Sequence, residues 1–338
     1  MPLPRRDFRA IGPKEGQRFP DVRLSDQTGT LVDLHTHRAG RPALVVFYRS
    51  AEWCPFCKTQ LVELQRVAPA LAVNGVALFA ISYDAVDVLA AFAAEHDITY
   101  PLLSDEGSRA MRELGLINER VQDDHAVYGI EPNPRHVDLP YPGVFVLNGD
   151  GVITGKRFHD SYRERETGRG LVAQALGIFA ETLAPAVTDG PAAAARAWLD
   201  SPTYAWFQRL TLTVELTIAP GFHVYGQPVD DGLTPLSVEI DALDGLEVGP
   251  ARWPAPRRFD LPGFGDGLWV HEGVVRGTVS LTFTGAPGAG DHLLGVTVRY
   301  QACDGTSCLV PSSIRLHVPV REAALVGRSL PAPAPKSP

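Results

Sequence analysis

Hydrophobic residues change their period once along this chain, across a segment rich in alanine and proline. Before it, buried-strand runs alternate with helix-spaced stripes. Leu44-Val45-Val46-Phe47-Tyr48 is continuously apolar, which predicts a strand covered on both faces. Leu61, Leu64, Ala68 and Leu71 then recur at helical spacing. Val76 to Ile81 reads as a second buried strand, and an alanine-rich helix follows from Ala85 to His96. Val144 to Leu147 is a third strand, closed by the turn Asn148-Gly149-Asp150-Gly151 and answered by Val152-Ile153. A last helix is predicted from Gly170 to Leu183. Alternating strands and helices argue an α/β layer fold over residues 1–184.

Residues 185–203 read as an Ala/Pro-rich linker, with room for a short helix over Ala192 to Leu199. Beyond it the period falls to two. Leu210, Leu212, Val214, Leu216 and Ile218 alternate with polar residues, and the pattern returns at Leu236-Val238-Ile240, Val279-Leu281-Phe283, Leu294-Val296-Val298-Tyr300 and Ile314-Leu316-Val318. Gly, Pro and Asp separate these runs. Several such strands without helices predict an all-β sandwich over 204–322. The Pro/Ala tail, 323–338, is expected to be disordered.

Composition narrows the function. The 338 residues carry 39 Asp+Glu against 31 Lys+Arg, with no basic cluster, so no nucleic-acid partner is expected. No apolar run reaches the roughly 20 residues that span a bilayer. Arg5-Arg6 is followed by no apolar signal core, so the expected location is cytoplasmic. In that compartment close cysteine pairs serve redox or metal chemistry more often than stapling.

The chain's 4 cysteines form two such pairs, Cys54/Cys57 and Cys303/Cys308. Cys54 falls between a buried strand and an amphipathic helix, where unpaired N–H groups and the helix dipole favour a thiolate. Cys57 lies one turn later, in reach of a mixed disulfide on Cys54. The expected roles are therefore Cys54 as attacking thiolate and Cys57 as resolving thiol. Pro55 suits the first helical turn. Lys58 and Arg49 add positive potential and Glu52 opposes it. The competing reading is a zinc site or two inert buried thiols.

This segment resembles the thioredoxin-like redoxins, in particular the alkyl hydroperoxide reductase/peroxiredoxin-like branch. The likeness rests on Phe47-Tyr48-Arg49-Ser50, Trp53-Cys54-Pro55-Phe56-Cys57, Tyr100-Pro101-Leu102-Leu103-Ser104-Asp105 and Pro142 to Gly151. It implies a thioredoxin fold with Pro142 as a cis-proline facing the pair. Trp53, Pro55, Phe56 and Tyr141 are the matching partner-binding candidates. The branch's Pro-x-x-x-Thr-x-x-Cys pattern, set on Cys54, meets Phe47 and Ala51 instead, and no arginine is evident near the Pro142 strand.

The second pair brackets Asp304-Gly305-Thr306-Ser307, which is turn chemistry. A four-residue loop sets Cys303 opposite Cys308, within the roughly 4.4–6.8 Å Cα spacing of a disulfide. That pairing turns Ile314 and Leu316 away from the core, so a bulge or strand break is predicted at Pro311. The domain resembles the immunoglobulin-like N-terminal domain of the thiol:disulfide interchange protein DsbD. The likeness rests on Gly221-Phe222-His223-Val224-Tyr225, Trp253 to Phe259 and Tyr300-Gln301-Ala302-Cys303 with Cys308. It implies exchange with a thioredoxin-fold partner, with Tyr225 flanking the pair and Phe264 as the cap candidate.

His35-x-His37 lacks a third ligand, and His159 to Glu166 reads as a solvated charged face. The expected function is a thiol:disulfide oxidoreductase relaying electrons between the two pairs. Alternatives are a thiol peroxidase acting on hydroperoxides and a non-catalytic protein- or zinc-binding module. The expected partners are a thioredoxin-fold or other thiol/disulfide protein, or a hydroperoxide. No cofactor is expected beyond the redox-active disulfides, and no metal.

Overall fold

The computed structural model describes residues 6–177, 185–259, 267–285 and 291–327. Two compact units emerge, one of residues 1–178 with 324–329, the other of 179–323 with 330–338.

In the first unit β1 (Arg23–Asp26) and β2 (Leu31–Asp33) form a hairpin that leads through α1 (Leu34–Arg38) to β3 (Ala43–Phe47). Then come α2 (Pro55–Val73), β4 (Ala77–Ser82), α3 (Val86–Glu95), β5 (Leu102–Ser104), α4 (Arg109–Glu113) and α5 (Val121–Val127). A 3-10 turn (Pro134–His136) precedes β6 (Gly143–Leu147), β7 (Ile153–Phe158), β8 (Arg165–Glu166) and α6 (Gly168–Leu176). The sheet order is β2-β1-β5-β4-β3-β6-β7, with β3, β4 and β5 parallel and the outer strands antiparallel. Alternate residues of β3 feed two cores: Leu44, Val46 and Tyr48 meet α2 and α3, while Val45 and Phe47 face α1 and α4. This is the thioredoxin-like α/β layer, and helix α2 follows β3 across the loop 48–54.

The second unit is a β-sandwich. Its strands are β9 (Ala186–Gly190), β10 (Ala193–Leu199), β11 (Thr203–Tyr204), β12 (Gln208–Ile218), β13 (His223–Tyr225), β14 (Ser237–Ile240) and β15 (Leu246–Val248). They continue with β16 (Arg257–Phe259), β17 (Leu268–His271), β18 (Val274–Phe283), β19 (Asp291–Tyr300), β20 (Ala302–Cys303) and β21 (Ser312–Glu322). One sheet runs β15-β18-β12-β10-β9, a second β11-β21-β19-β14 and a small third β16-β17-β13-β20. The inward residues of β12 and β18 share one core with those of β19 and β21.

Three expectations change. Residues 186–199 are not a linker or a helix but the paired strands β9 and β10. Ala193, Ala195, Ala197 and Leu199 all point into the sandwich core, so cross-strand pairing with β12 overrides the helix preference of alanine. Residues 324–327, expected as tail, group with the first unit, where Leu325 is buried and the Val326 N–H donates to Thr59 Oγ1 at 2.8 Å. The rest of the expected tail, 328–338, lies outside the described residues. Finally, the Tyr141–Pro142 bond is trans; the cis X–Pro bond among the described residues is Gln227–Pro228. The chain entering β6 is already committed to extended pairing, with Tyr141 N–H donating to Leu116 O and Pro140 bridged to Ile117. Trans is also the form an X–Pro bond prefers.

The break predicted at Pro311 is present. Cys303 pairs with Cys308, yet Tyr300 pairs with Ser312, so three steps on one strand span four on the other. The slip lets Ile314, Leu316 and Val318 reach the core.

Candidate active site

Cys54 is the N-cap of α2, in extended backbone, and Pro55 is its first helical residue. Cys57 therefore sits in the first turn, where N–H groups lack intrahelical acceptors. Both sulfurs are free thiols and both residues are buried. Trp53, Pro55 and Phe56 around them are half-buried.

The surroundings of the two thiols differ. Arg165 Nη2 donates to Cys57 Sγ at 3.0 Å, and the Arg49 backbone N–H approaches it at 3.4 Å. Burial opposes ionisation of Cys57. The hydrogen bond from Cys54, the Arg165 charge and the N–H groups of the 49–50 turn override it and hold the thiol well below its ordinary range. Burial pushes Cys54 well above that range. The helix terminus by itself points to Cys54 as the thiolate; the charges favour Cys57.

Arg165 lies in the segment whose charge pattern predicts a solvated face. It is instead buried, with Nη1 donating to the carbonyls of Tyr162 (2.6 Å) and Glu164 (2.7 Å). Its neighbours Glu164 and Glu166 lie 3.6 and 3.2 Å from the two ring nitrogens of His159. Tyr162 is buried in the same segment, and Arg165 and Glu166 are buried with it.

The loop before α2 is fixed by Asp84, just past β4. Its carboxylate accepts from Ser50 Oγ (2.8 Å), Ala51 N–H (2.7 Å) and Ser82 Oγ (2.9 Å), and burial raises its pKa. A second segment, 121–136, packs over the same loop. His136 meets Trp53 at a tilt, with ring centroids 4.8 Å apart, and His125 edge-on at 4.3 Å. Trp53 Nε1 donates to Tyr83 Oη, which donates to Arg135 O. Sequence reasoning missed Asp84, His125, His136 and Arg165 as members of this site. Only Asp84 carried a local signal, since it follows a buried parallel strand at its carboxyl end, where α/β sheets place their sites.

Tyr141 is held elsewhere, edge-on to Phe8 at 5.7 Å with Arg6 above its ring. Pro142 is buried at the head of β6. His35 is structural: its Nε2 meets Phe19 O at 2.7 Å and its Nδ1 accepts from Arg38 Nε at 2.9 Å.

In the second unit a disulfide joins Cys303 to Cys308, with Cα atoms 4.0 Å apart, closer than expected. The Asp304 carboxylate ties the loop by accepting from the N–H groups of Thr306 and Ser307, both at 2.7 Å. Cys303 is buried beside β13, and Cys308 is exposed. Tyr225 Oη lies 3.0 Å from Cys303 Sγ and 3.2 Å from Cys308 Sγ, so this residue is brought to the pair. Phe264 falls outside the described residues. Phe259, Leu268 and Val270 pack around Cys303 and Tyr225. Among the described residues no cluster of His, Cys, Asp and Glu has the arrangement of a metal site.

Comparison with known proteins gives two matches to family models. Residues 16–156 match the AhpC/TSA family, and residues 202–318 match the N-terminal domain of thiol:disulfide interchange protein DsbD. A chloroplastic peroxiredoxin Q of Sedum lineare is 28% identical over 139 residues, which cover 41% of this chain and 66% of that protein. A putative peroxiredoxin of Mycobacterium tuberculosis is 27% identical over 144 residues, covering 43% of this chain and 84% of that protein. Among solved structures, the peroxidoxin BcpB from Mycobacterium tuberculosis aligns with 49% of this chain and 95% of its own, at 22% identity and a TM-score of 0.39.

Proposed function

From a chain that carries an AhpC/TSA-family domain at 16–156 and a DsbD N-terminal domain at 202–318, we propose a thiol-based oxidoreductase whose nucleophile is Cys57. One observation carries this reading: Arg165 Nη2 lies 3.0 Å from Cys57 Sγ, with Cys54 one turn away. The relatives named peroxiredoxin make a hydroperoxide the first candidate substrate. The Cys57 thiolate attacks the distal peroxide oxygen, the O–O bond breaks, and the leaving alkoxide takes a proton. Cys57 is then a sulfenic acid. The Cys54 thiol attacks its sulfur, water leaves, and the Cys54–Cys57 disulfide closes. One hydroperoxide has taken two electrons from the dithiol. Against a disulfide substrate the same thiolate forms a mixed disulfide, which Cys54 resolves.

The oxidised pair needs a dithiol to restore it. Reduced Cys303/Cys308 supplies two electrons and two protons and becomes the Cys303–Cys308 disulfide. That disulfide is itself open to an outside thiolate on the side of Cys308, an exposed residue. Cys303 then leaves as a thiolate beside the Tyr225 hydroxyl, a hydrogen-bond donor in reach. Cys54 and Cys57 are both buried, so substrate reaches the first centre only when the structure around them opens.

Sulfenate trapping tests the assignment. A Cys54→Ser variant treated with hydroperoxide should retain a sulfenate on Cys57, captured by a sulfenate-specific probe. Cys57→Ser should give none. A sulfenate on Cys54 in the Cys57→Ser variant would reverse the roles.

A further inference from the structure

One buried guanidinium, that of Arg165, donates to Cys57 Sγ, and a second, that of Arg49, acts on the adjacent Cys54 thiol. Arg49 and Arg165 are only 3% and 5% exposed, and among the described residues neither has a carboxylate within ion-pair distance. Arg49 lies between the rings of Trp53 (4.8 Å) and Tyr162 (4.2 Å), and its Nη2 donates to His125 Nε2. Since that ring nitrogen accepts, the His125 proton is on Nδ1. Among the described residues, Arg49 Nε, Arg165 Nε and His125 Nδ1 then have no acceptor. Such groups are costly to leave unmet, and nearly all buried polar groups are paired.

Nearby carboxylates are committed elsewhere. Asp84 is engaged by Ser50, Ala51 and Ser82, Asp124 pairs with Arg6, Glu52 with Arg135, and Glu164 and Glu166 lie against His159. A Cys57 thiolate neutralises one of the two cationic charges and leaves the other.

We propose that Arg49 and His125 form an anion subsite beside Cys57, which takes the carboxylate of a substrate whose reacting bond lies against the sulfur. The proposal rests on the reading of Cys57 as nucleophile. It names the substrate class of that site: acidic hydroperoxides or disulfides in preference to neutral ones of the same size. Guanidinium and imidazole N–H groups recognise a carboxylate through charge-assisted hydrogen bonds.

Two alkylating probes of nearly equal size separate charge from reactivity. The reduced full chain is treated with iodoacetate or iodoacetamide, and the modification rate of Cys57 is read by peptide mass spectrometry. The iodoacetate/iodoacetamide ratio cancels thiolate fraction and access. It should exceed the ratio in the urea-unfolded chain by about tenfold, the scale of one charge-assisted hydrogen bond. Arg49→Gln should return the ratio to the unfolded value, and Arg49→Lys should keep part of the excess. If Arg49→Gln does not fold, the wild-type chain still reports: at fixed ionic strength, sulfate replacing chloride should slow iodoacetate and not iodoacetamide. A folded ratio equal to the unfolded one, or one unchanged in Arg49→Gln, overturns the subsite. If neither probe modifies Cys57 until the chain unfolds, the nucleophile assignment fails instead.

Discussion

Arg165, with the Cys54 hydrogen bond, sets Cys57 apart from an ordinary buried thiol. An isolated buried thiol ionises at raised pH, and Cys54 behaves that way. Cys57 departs because Cys54 donates a hydrogen bond to it and a guanidinium lies 3.0 Å from its sulfur. Since its folded pKa is lowered, the thiolate persists as pH falls below the ordinary thiol range of about 8.5. The stability this ionisation contributes is fully present above that range and is lost as pH falls through the folded value. Arg165→Gln should therefore move the acid limb of Cys57 alkylation to higher pH. At about pH 6 the variant should react roughly tenfold slower or more, and near pH 10 the two should converge. An unshifted limb would show that the guanidinium does not set the ionisation. At this scale the cysteines were legible from their spacing, and Tyr225 from the resemblance to the DsbD N-terminal domain. Arg165 was not, because 108 residues separate it from Cys57 and no local pattern reports which side of its segment faces the core.

Elements were legible where periodicity was strong. The run from Leu210 to Ile218 became β12, and the slip at Pro311 followed from pairing rules alone. Alanine misled the reading of 186–199, since a small apolar residue suits a helix, a loop or a crowded sheet equally. The close pairing of β10 between β9 and β12 selects the sheet. Ala195→Pro tests this difference. In a central strand it removes a ladder donor, leaves a buried acceptor unmet at about 1–3 kcal/mol, and should lower the urea midpoint. In a flexible linker the midpoint would not move.

For the whole molecule, the change of hydrophobic period is enough to separate an α/β layer from a β-sandwich. Which thiol of the first pair is poised to attack was less legible, since that depends on buried charge. No described helix is long and apolar enough to cross a membrane. The two couples differ in kind: Cys54/Cys57 are buried thiols among arginines, whereas Cys303–Cys308 is a disulfide with one exposed cysteine. In the proposed cycle the first couple oxidises through Cys57 and the second restores it. A time-resolved disulfide map of the fully reduced chain, taken after one equivalent of hydroperoxide, tests both steps at once. Cys54–Cys57 should form first. Cys303–Cys308 should then accumulate as Cys54 and Cys57 return to thiols, with neither step in Cys57→Ser. Formation of Cys303–Cys308 at an undiminished rate in Cys57→Ser would contradict the cycle.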